Sequence, residues 1–156
     1  MTLKELQKIL TSIAPADREA MDRAKKRQAE LAKPPGSLGK LEDMSIRLAG
    51  ITGQVRNQLE SCRILVFAAD NGVIAEGVSS SPESVTLSQA VNMTRHITGM
   101  SALARYFGNS VVVADVGINA EVRCPAILNR KIRRSTRNLA KEPALTRQEV
   151  LDAMGV

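Results

Sequence analysis

The 156-residue sequence has almost no aromatic residues: no tryptophan, one tyrosine and two phenylalanines. Its core must therefore be built from aliphatic side chains. Proteins that bind single-stranded nucleic acid stack bases on aromatic rings. Phe67 lies inside an apolar run and only Tyr106 and Phe107 remain, so we do not expect a nucleic-acid partner.

Cysteine and histidine are equally scarce. Cys62 and Cys124 are far apart and form no CxxC pair, and His96 is the only histidine. Structural metal sites need several such ligands close together, so we expect no metal and no cofactor.

No apolar run approaches the roughly 20 residues that span a bilayer, and no early segment has the pattern of a secretory signal. We therefore expect a cytoplasmic protein with no membrane partner.

Positive charge is in excess, at a formal net charge of +6. Such an excess suits an anionic ligand without identifying one. Much of it lies in a basic run, Arg130–Arg137. We interpret this run as a solvated surface in preference to a phosphate site, and RNA binding through it is a minor alternative.

The most informative stretch is Arg63–Gln89. Its apolar run from Ile64 to Ala69 is typical of a strand buried on both faces. The run stops at Asp70-Asn71-Gly72, a turn-forming sequence. Beyond a hydroxyl-rich loop, Ser81 is the expected N-cap of a helix with Pro82 at its first position.

A second strand repeats this form. Ser110–Asp115 is β-branched and is followed by Val116-Gly117. Two such strands separated by helical sequence predict a βαβ unit with parallel pairing. Parallel pairing places Asp70 and Asp115 at one edge of the sheet, where α/β proteins bind ligands. The candidate residues lining a site there are Asp70, Asn71, Gly72, Asp115 and Gly117.

The flanking segments have helical patterns. Thr2 with Glu5, and Thr146 with Glu149, form capping boxes, Ser101 is expected to cap a short helix, and a helix near residues 41–51 should end at Gly53. A Pro/Gly loop precedes that helix, and a rigid connection is favoured over a ligand-reaching loop. We expect a helical region over residues 1–58 and a partial α/β domain over 59–156, with only two strands visible.

Five segments together carry a family resemblance. They are K-P-P-G-S-L-G-K-L-E (Lys33–Glu42), F-A-A-D-N-G-V-I-A-E-G-V (Phe67–Val78), S-P-E-S-V-T-L-S-Q (Ser81–Gln89), A-D-V-G-I (Ala114–Ile118), and S-T-R-N with E-P-A-L-T between Ser135 and Thr146. In this order they resemble the nicotinate-nucleotide–dimethylbenzimidazole phosphoribosyltransferases of cobalamin biosynthesis.

The resemblance implies part of a doubly wound, Rossmann-like parallel sheet with an N-terminal helical subdomain. It implies transfer of phosphoribose from nicotinate mononucleotide to 5,6-dimethylbenzimidazole, giving α-ribazole phosphate. Ser81 and Gln89 match the family's base-binding residues. The implied partners are these small molecules and either a second copy in a homodimer or a complementing C-terminal half.

The family's glycine-rich phosphate segment, G-E-M-G-I-G-N-T-T, and its catalytic glutamate are not among these residues, which amount to less than half of the family's usual length. We therefore assign no catalytic residue and expect little turnover from a truncated chain alone. Glu76 is a nearby carboxylate but matches a different family position. The alternative is a non-catalytic remnant that binds a benzimidazole or a partner.

Three residues depart from the family pattern: Asn71 replaces a histidine, and His96 and Ser135 replace glycines.

The aspartates that follow the two predicted strands have two possible roles. Asp70 and Asp115 either cap the strand ends or stabilise a ribose-centred cation, and the first role is slightly favoured.

Overall fold

A computed structural model describes residues 2–58 and 60–156. The chain divides into two compact units, residues 7–60 and residues 61–156 with the first six residues. The helices are α1 (Leu3–Ser12), α2 (Arg18–Glu30), α3 (Lys40–Thr52), α4 (Ser84–Thr94), α5 (Gly99–Tyr106) and α6 (Arg147–Ala153). The strands are β1 (Arg63–Ala69), β2 (Ser110–Gly117) and β3 (Ile127–Asn129), and a 3-10 helix covers Gly72–Glu76.

In the unit over residues 7–60, α2 and α3 pack through small side chains. Ala20 and Ala24 of α2 and Ala49 and Gly50 of α3 are buried. A Cβ on residue 50 would meet the side chain of Met21 at 2.6 Å, so glycine allows this close approach without displacing Met21. Because small residues form the contact, the larger apolar side chains of α3 (Leu41, Met44 and Ile51) remain exposed.

The Pro/Gly loop before α3 is held by an ion pair. Lys33 Nζ lies 2.6 Å from Glu42 Oε1, and both side chains are mostly buried. The same oxygen accepts a hydrogen bond from the backbone amide of Leu38 at 3.2 Å. The hydrogen bonds from Lys33 and then Leu38 lower the pKa of Glu42. The spacing of lysine and glutamate in this segment therefore fastens the loop to the first turn of α3.

The second unit contains a parallel three-stranded sheet in the order β1-β2-β3. The parallel βαβ unit predicted from the sequence is confirmed: Arg63 pairs with Ser110 and Phe67 with Ala114. The expectation of only two strands was wrong, because β3 has three residues and is too short to show a periodic pattern.

One face of the sheet carries the core. Ala90, Val113, Ile118 and Ile127 form its buried centre, with Val66 among the partly buried residues packed on it. The opposite face is largely open, and Leu65 and Phe67 are 59% and 58% exposed. The expectation that β1 is buried on both faces was therefore wrong, since α4 packs only on the side of Val66 and Val113.

Two helix starts also differ from expectation. Ser81 is not an N-cap: α4 begins at Ser84 with Glu83 at the cap position, and Ser81 belongs to the preceding turn. Helix α5 begins at Gly99 with Thr98 as its N-cap, and Ser101 completes a reciprocal capping box from the third position. The capping boxes at Thr2 and Thr146 are confirmed.

Candidate functional site

The turn after β1 is fixed by contacts with two later segments. The backbone amide of Asp70 donates to the carbonyl of Gly117 at 3.1 Å, and the amide of Thr136 donates to the carbonyl of Asp70 at 3.1 Å. A side chain on Gly72 would collide with the backbone of Thr136 and Arg137. The close approach of this turn to the 136–138 segment therefore requires glycine at position 72.

Asp115 holds the end of β2 and the loop that follows it. Its side chain is buried, and its Oδ1 accepts hydrogen bonds from the amides of Gly117 at 3.1 Å and Ile118 at 2.9 Å. Its Oδ2 pairs with Lys131 Nζ at 2.9 Å. The lysine also donates to the carbonyls of Ile118 and Ala120. Both oxygens of Asp115 are thus used in holding the loop after β2.

A cavity of about 300 Å³ opens beyond the carboxyl end of β1. It lies between the 3-10 helix and the first turn of α4. Its apolar walls include Val73, Ile74, Val78 and Val85, and its polar lining includes Asp70, Asn71, Ser79, Ser81, Glu83 and Thr86. These lining residues contain two carboxylates and no lysine or arginine, so the cavity suits a neutral or hydrogen-donating ligand better than an anion.

Asn119 connects the two carboxylates. Its backbone amide donates to Asp70 Oδ2 at 2.7 Å, and its side-chain amide donates to Glu83 Oε2 at 2.9 Å. A second cavity of about 350 Å³ shares Asp70 and Glu83 with the first and is also lined by Ser84, Ser88 and Asn119. The two carboxylates that Asn119 contacts therefore line both cavities.

The structure brings together three of the seven residues singled out in the sequence. Asp70, Asn71 and Ser81 line the first cavity. Gly72 begins the 3-10 helix, Asp115 and Gly117 lie at the end of β2, and Gln89 is exposed on α4; none of these four lines the cavity. Sequence reasoning missed Glu83 and Asn119 as cavity-wall residues, although Glu83 stands in the same motif as Ser81.

The basic run has a different role from the solvated surface that we expected. Lys131 pairs with Asp115, while Arg133 and Arg137 both pair with Glu149, at 3.4 and 2.8 Å. The hydrogen bond from Arg137, followed by that from the Thr146 amide, lowers the pKa of Glu149 to about 2. Three cations of the run are therefore partners in internal ion pairs.

None of the described helices has the length and apolar character needed to cross a membrane. The parallel sheet, its flanking helices and the cavity beyond the end of β1 define an α/β protein. The cavity lies at the edge of the sheet where proteins of this class bind ligands. The phosphoribosyltransferase family model matches residues 13–156. The chain belongs to this family, and the relatives below are nicotinate-nucleotide–dimethylbenzimidazole phosphoribosyltransferases.

The relative from Clostridium tetani is 40% identical over 152 residues, which cover 97% of this chain and 42% of the relative. The relative from Deinococcus radiodurans is 44% identical over 156 residues, covering 96% and 43%. The crystal structure of the enzyme of that name from Thermus thermophilus matches with a TM-score of 0.80 at 40% identity, covering 88% of this chain and 42% of that one. The chain thus spans less than half the length of these relatives.

Proposed function

We propose that this chain supplies the base-binding part of phosphoribosyl transfer from nicotinate mononucleotide to 5,6-dimethylbenzimidazole. The cavity beyond β1 carries the proposal. Its volume of about 300 Å³ and its aliphatic walls fit a flat, apolar heterocycle. Ser81 places a hydroxyl at its edge for one ring nitrogen. The carboxylates and the lack of cations among its described lining residues disfavour a phosphate there.

The proposed reaction is a displacement at the ribose. The lone pair of one benzimidazole nitrogen forms a bond to C1′, and the bond between C1′ and the nicotinate nitrogen breaks with its electron pair. The proton on the other benzimidazole nitrogen is then lost to a base. The family resemblance assigns that base to a glutamate, and the phosphate site to a glycine-rich segment, that are not among these 156 residues. We therefore propose that this chain alone turns over little or no substrate.

The proposal keeps Ser81 and Gln89 as contacts to the base. Gln89 lies one turn beyond Val85 on the same face of α4, and Val85 lines the cavity. A base that extends out of the cavity along α4 reaches Gln89. We expect Ser81→Ala to weaken binding more than Gln89→Ala does, because only Ser81 lies in the cavity wall.

A turnover assay tests the proposal. The purified chain is incubated with nicotinate mononucleotide and dimethylbenzimidazole, alone and with the C-terminal part of a relative expressed as a separate polypeptide. We expect α-ribazole phosphate only in the second mixture. Rapid formation by the chain alone would overturn the claim that these residues are insufficient for catalysis.

A second candidate function is binding of the base without chemistry. One observation favours it: every lining residue of the described cavity lies between positions 69 and 86. The cavity is therefore formed within this chain and needs no second polypeptide to hold a base. Three results together would favour this alternative over the first: dimethylbenzimidazole binds to the chain, Ser81→Ala weakens that binding, and no product forms with a complementing polypeptide.

We also propose a cytoplasmic location, a division into domains at about residue 58, and association with a second copy or a complementing C-terminal half. The exposed apolar side chains of α3 and of β1 support the association, because neighbouring exposed apolar side chains often mark an interaction surface. Sedimentation of the chain alone and with the complementing polypeptide distinguishes the two partners.

A further inference from the structure

The 3-10 helix that forms one wall of the cavity has little apolar packing to hold it. Val73 and Ile74 line the cavity beyond β1, and both are only half-buried. Among the described residues, neither belongs to the core cluster on the sheet or to the side chains packed against that cluster. With five residues, Gly72–Glu76, the helix is also too short to be stable by itself. Its position therefore depends largely on polar contacts with other segments.

Both ends of this helix are attached to one later segment of the chain. At its first residue, Gly72 packs directly against the backbone of Thr136. At its last residue, Glu76 Oε1 accepts a hydrogen bond from Asn138 Nδ2 at 2.5 Å and lies 3.1 Å from Lys141 Nζ. The hydrogen bonds from Asn138 and then Lys141 lower the pKa of Glu76. Because Glu76 does not line the cavity, its carboxylate fastens the helix from outside the candidate ligand site.

The loop that receives Glu76 is itself held in place. The amide of Arg137 donates to the carbonyl of Ala144 at 2.9 Å, which closes the loop, and Arg137 pairs with Glu149 of α6 at 2.8 Å. Within the loop, Asn138 Oδ1 accepts a hydrogen bond from a backbone amide two residues further on, at 3.0 Å. Its Nδ2 is the donor to the carboxylate on the 3-10 helix. The contact therefore connects one wall of the cavity to a loop that ion pairs hold against α6.

We propose that Glu76 is a positioning residue for the base, which acts by holding the 3-10 helix to Asn138. This role rests on the proposed function, since it takes the cavity as the base site. When the contact is broken, the helix leaves its place in a fraction of the molecules, and only the remainder offer a complete apolar wall. The apparent affinity for the base falls in proportion to that remainder. Glu76 takes no part in the chemistry of the ring nitrogens.

The test exchanges donor and acceptor across the contact. 5,6-Dimethylbenzimidazole is titrated by calorimetry against the unaltered chain, Glu76→Ala, Asn138→Asp and the double variant Glu76→Gln/Asn138→Asp. Glu76→Ala leaves no acceptor and Asn138→Asp sets two carboxylates against each other, so each should weaken binding roughly threefold to thirtyfold. The double variant restores one donor and one acceptor, so its affinity should return to within about threefold of the unaltered chain.

Hydrogen exchange at the amides of residues 72–81 follows the helix in the absence of the base. Exchange there should be faster in Glu76→Ala and in Asn138→Asp, and should slow again in the double variant. Glu142→Ala is the matched control, because that carboxylate lies in the same loop, 3.9 Å from Arg137. Among the described residues, it makes no hydrogen bond or ion pair with the 3-10 helix. It should change neither the exchange nor the affinity.

The outcomes separate the two proposals. If dimethylbenzimidazole binds equally well to the unaltered chain and to Glu76→Ala, the positioning role is overturned while the base site stands. A double variant that binds no better than Asn138→Asp also overturns the role, because the lost affinity then does not come from this contact. If the unaltered chain does not bind the base, the proposed function fails and the positioning role fails with it. Circular dichroism confirms that each variant is folded before its titration is interpreted.

Discussion

The backbone amide of Gly72 donates a hydrogen bond to the hydroxyl of Thr136, 64 residues further along the chain, at 3.1 Å. The contact joins two of the segments that carry the family resemblance. The backbone of residues 136–138 packs directly against this turn, with no room for a side chain on residue 72. The turn after β1, whose Asp70 and Asn71 line the cavity, is therefore held by a segment much later in the chain.

Gly72→Ala should destabilise the chain. The added methyl group would collide with the backbone of Thr136 and Arg137, and backbone cannot move aside as a flexible side chain can. Overpacking of this kind costs about 1 to 3 kcal/mol, measured by urea denaturation. Gly99→Ala is the control, since nothing lies within 4 Å of a Cβ there. An equal effect of the two substitutions would contradict the close approach at Gly72.

Lys131→Met should cost about 3 to 5 kcal/mol, because it leaves the charge of Asp115 buried without its partner. The double variant Asp115→Asn/Lys131→Met should recover much of the loss, since asparagine can still accept from the amides of Gly117 and Ile118. Chemical denaturation of the four proteins gives the coupling. A double variant no more stable than Lys131→Met would show that the pair is not the main support of this loop.

Stability should fall in acid partly through Glu149. Its pKa is lowered from 4.5 to about 2, so protons bind the unfolded chain more readily than the folded one. The stabilisation is fully present above about pH 4.5 and is lost as the pH falls towards 2. In Glu149→Gln this contribution is absent at every pH. The difference in melting temperature between the two proteins should therefore shrink as the pH is lowered through this range. A constant difference would refute the assignment.

Ser135→Gly should stabilise the chain. Ser135 has a φ of +55°, which costs a non-glycine residue about 1 to 2 kcal/mol, and its buried hydroxyl has no hydrogen-bond partner among the described residues. Glycine's greater freedom in the unfolded state offsets about 0.5 to 1 kcal/mol. The net gain in thermal unfolding should be about 1 kcal/mol, from the difference of these two effects. Ser135→Ala keeps the strained backbone conformation, so it should raise the stability by less than Ser135→Gly does. A larger increase from alanine would show that the positive φ is not the main cause.

Phe67→Ser should cost little, within about 1 kcal/mol, because the ring is more than half exposed. Ile118→Ala should cost about 2 to 5 kcal/mol, because that side chain is buried in the core. The two unfolding free energies, measured under one condition, check which face of the sheet carries the stability. A large loss at Phe67 would show that its face is covered in solution.

Local patterns predicted the parts of the fold that depend on neighbouring residues. The run before Asp70 and the run before Asp115 each indicated a strand, and the helical sequence between them required parallel pairing. The glycines expected by the family at 96 and 135 also have a physical reason, since His96 and Ser135 adopt φ values of +58° and +55°. Such positions are recognisable in a sequence only by comparison with a family.

Contacts between distant segments were beyond sequence reasoning. The basic run was interpreted as solvated because its partners Asp115 and Glu149 are not its neighbours in the sequence. The strand β3 was missed because three residues show no periodicity. An apolar run such as β1 looks the same whether one face or both are covered. The hydrogen bond from Asn119 to Glu83 joins residues 36 positions apart, and no local motif predicts that contact.

The outer edge of β1 has a consequence for handling the protein. Within the part of the chain that the structure describes, β1 is an edge strand, and its open face presents Leu65 and Phe67. A long apolar edge of this kind is a template onto which other chains add strands, and Arg63 is the only charged residue in β1. Concentration and storage time should therefore govern how much protein stays in solution, and Leu65→Lys should lengthen the period for which solutions stay clear.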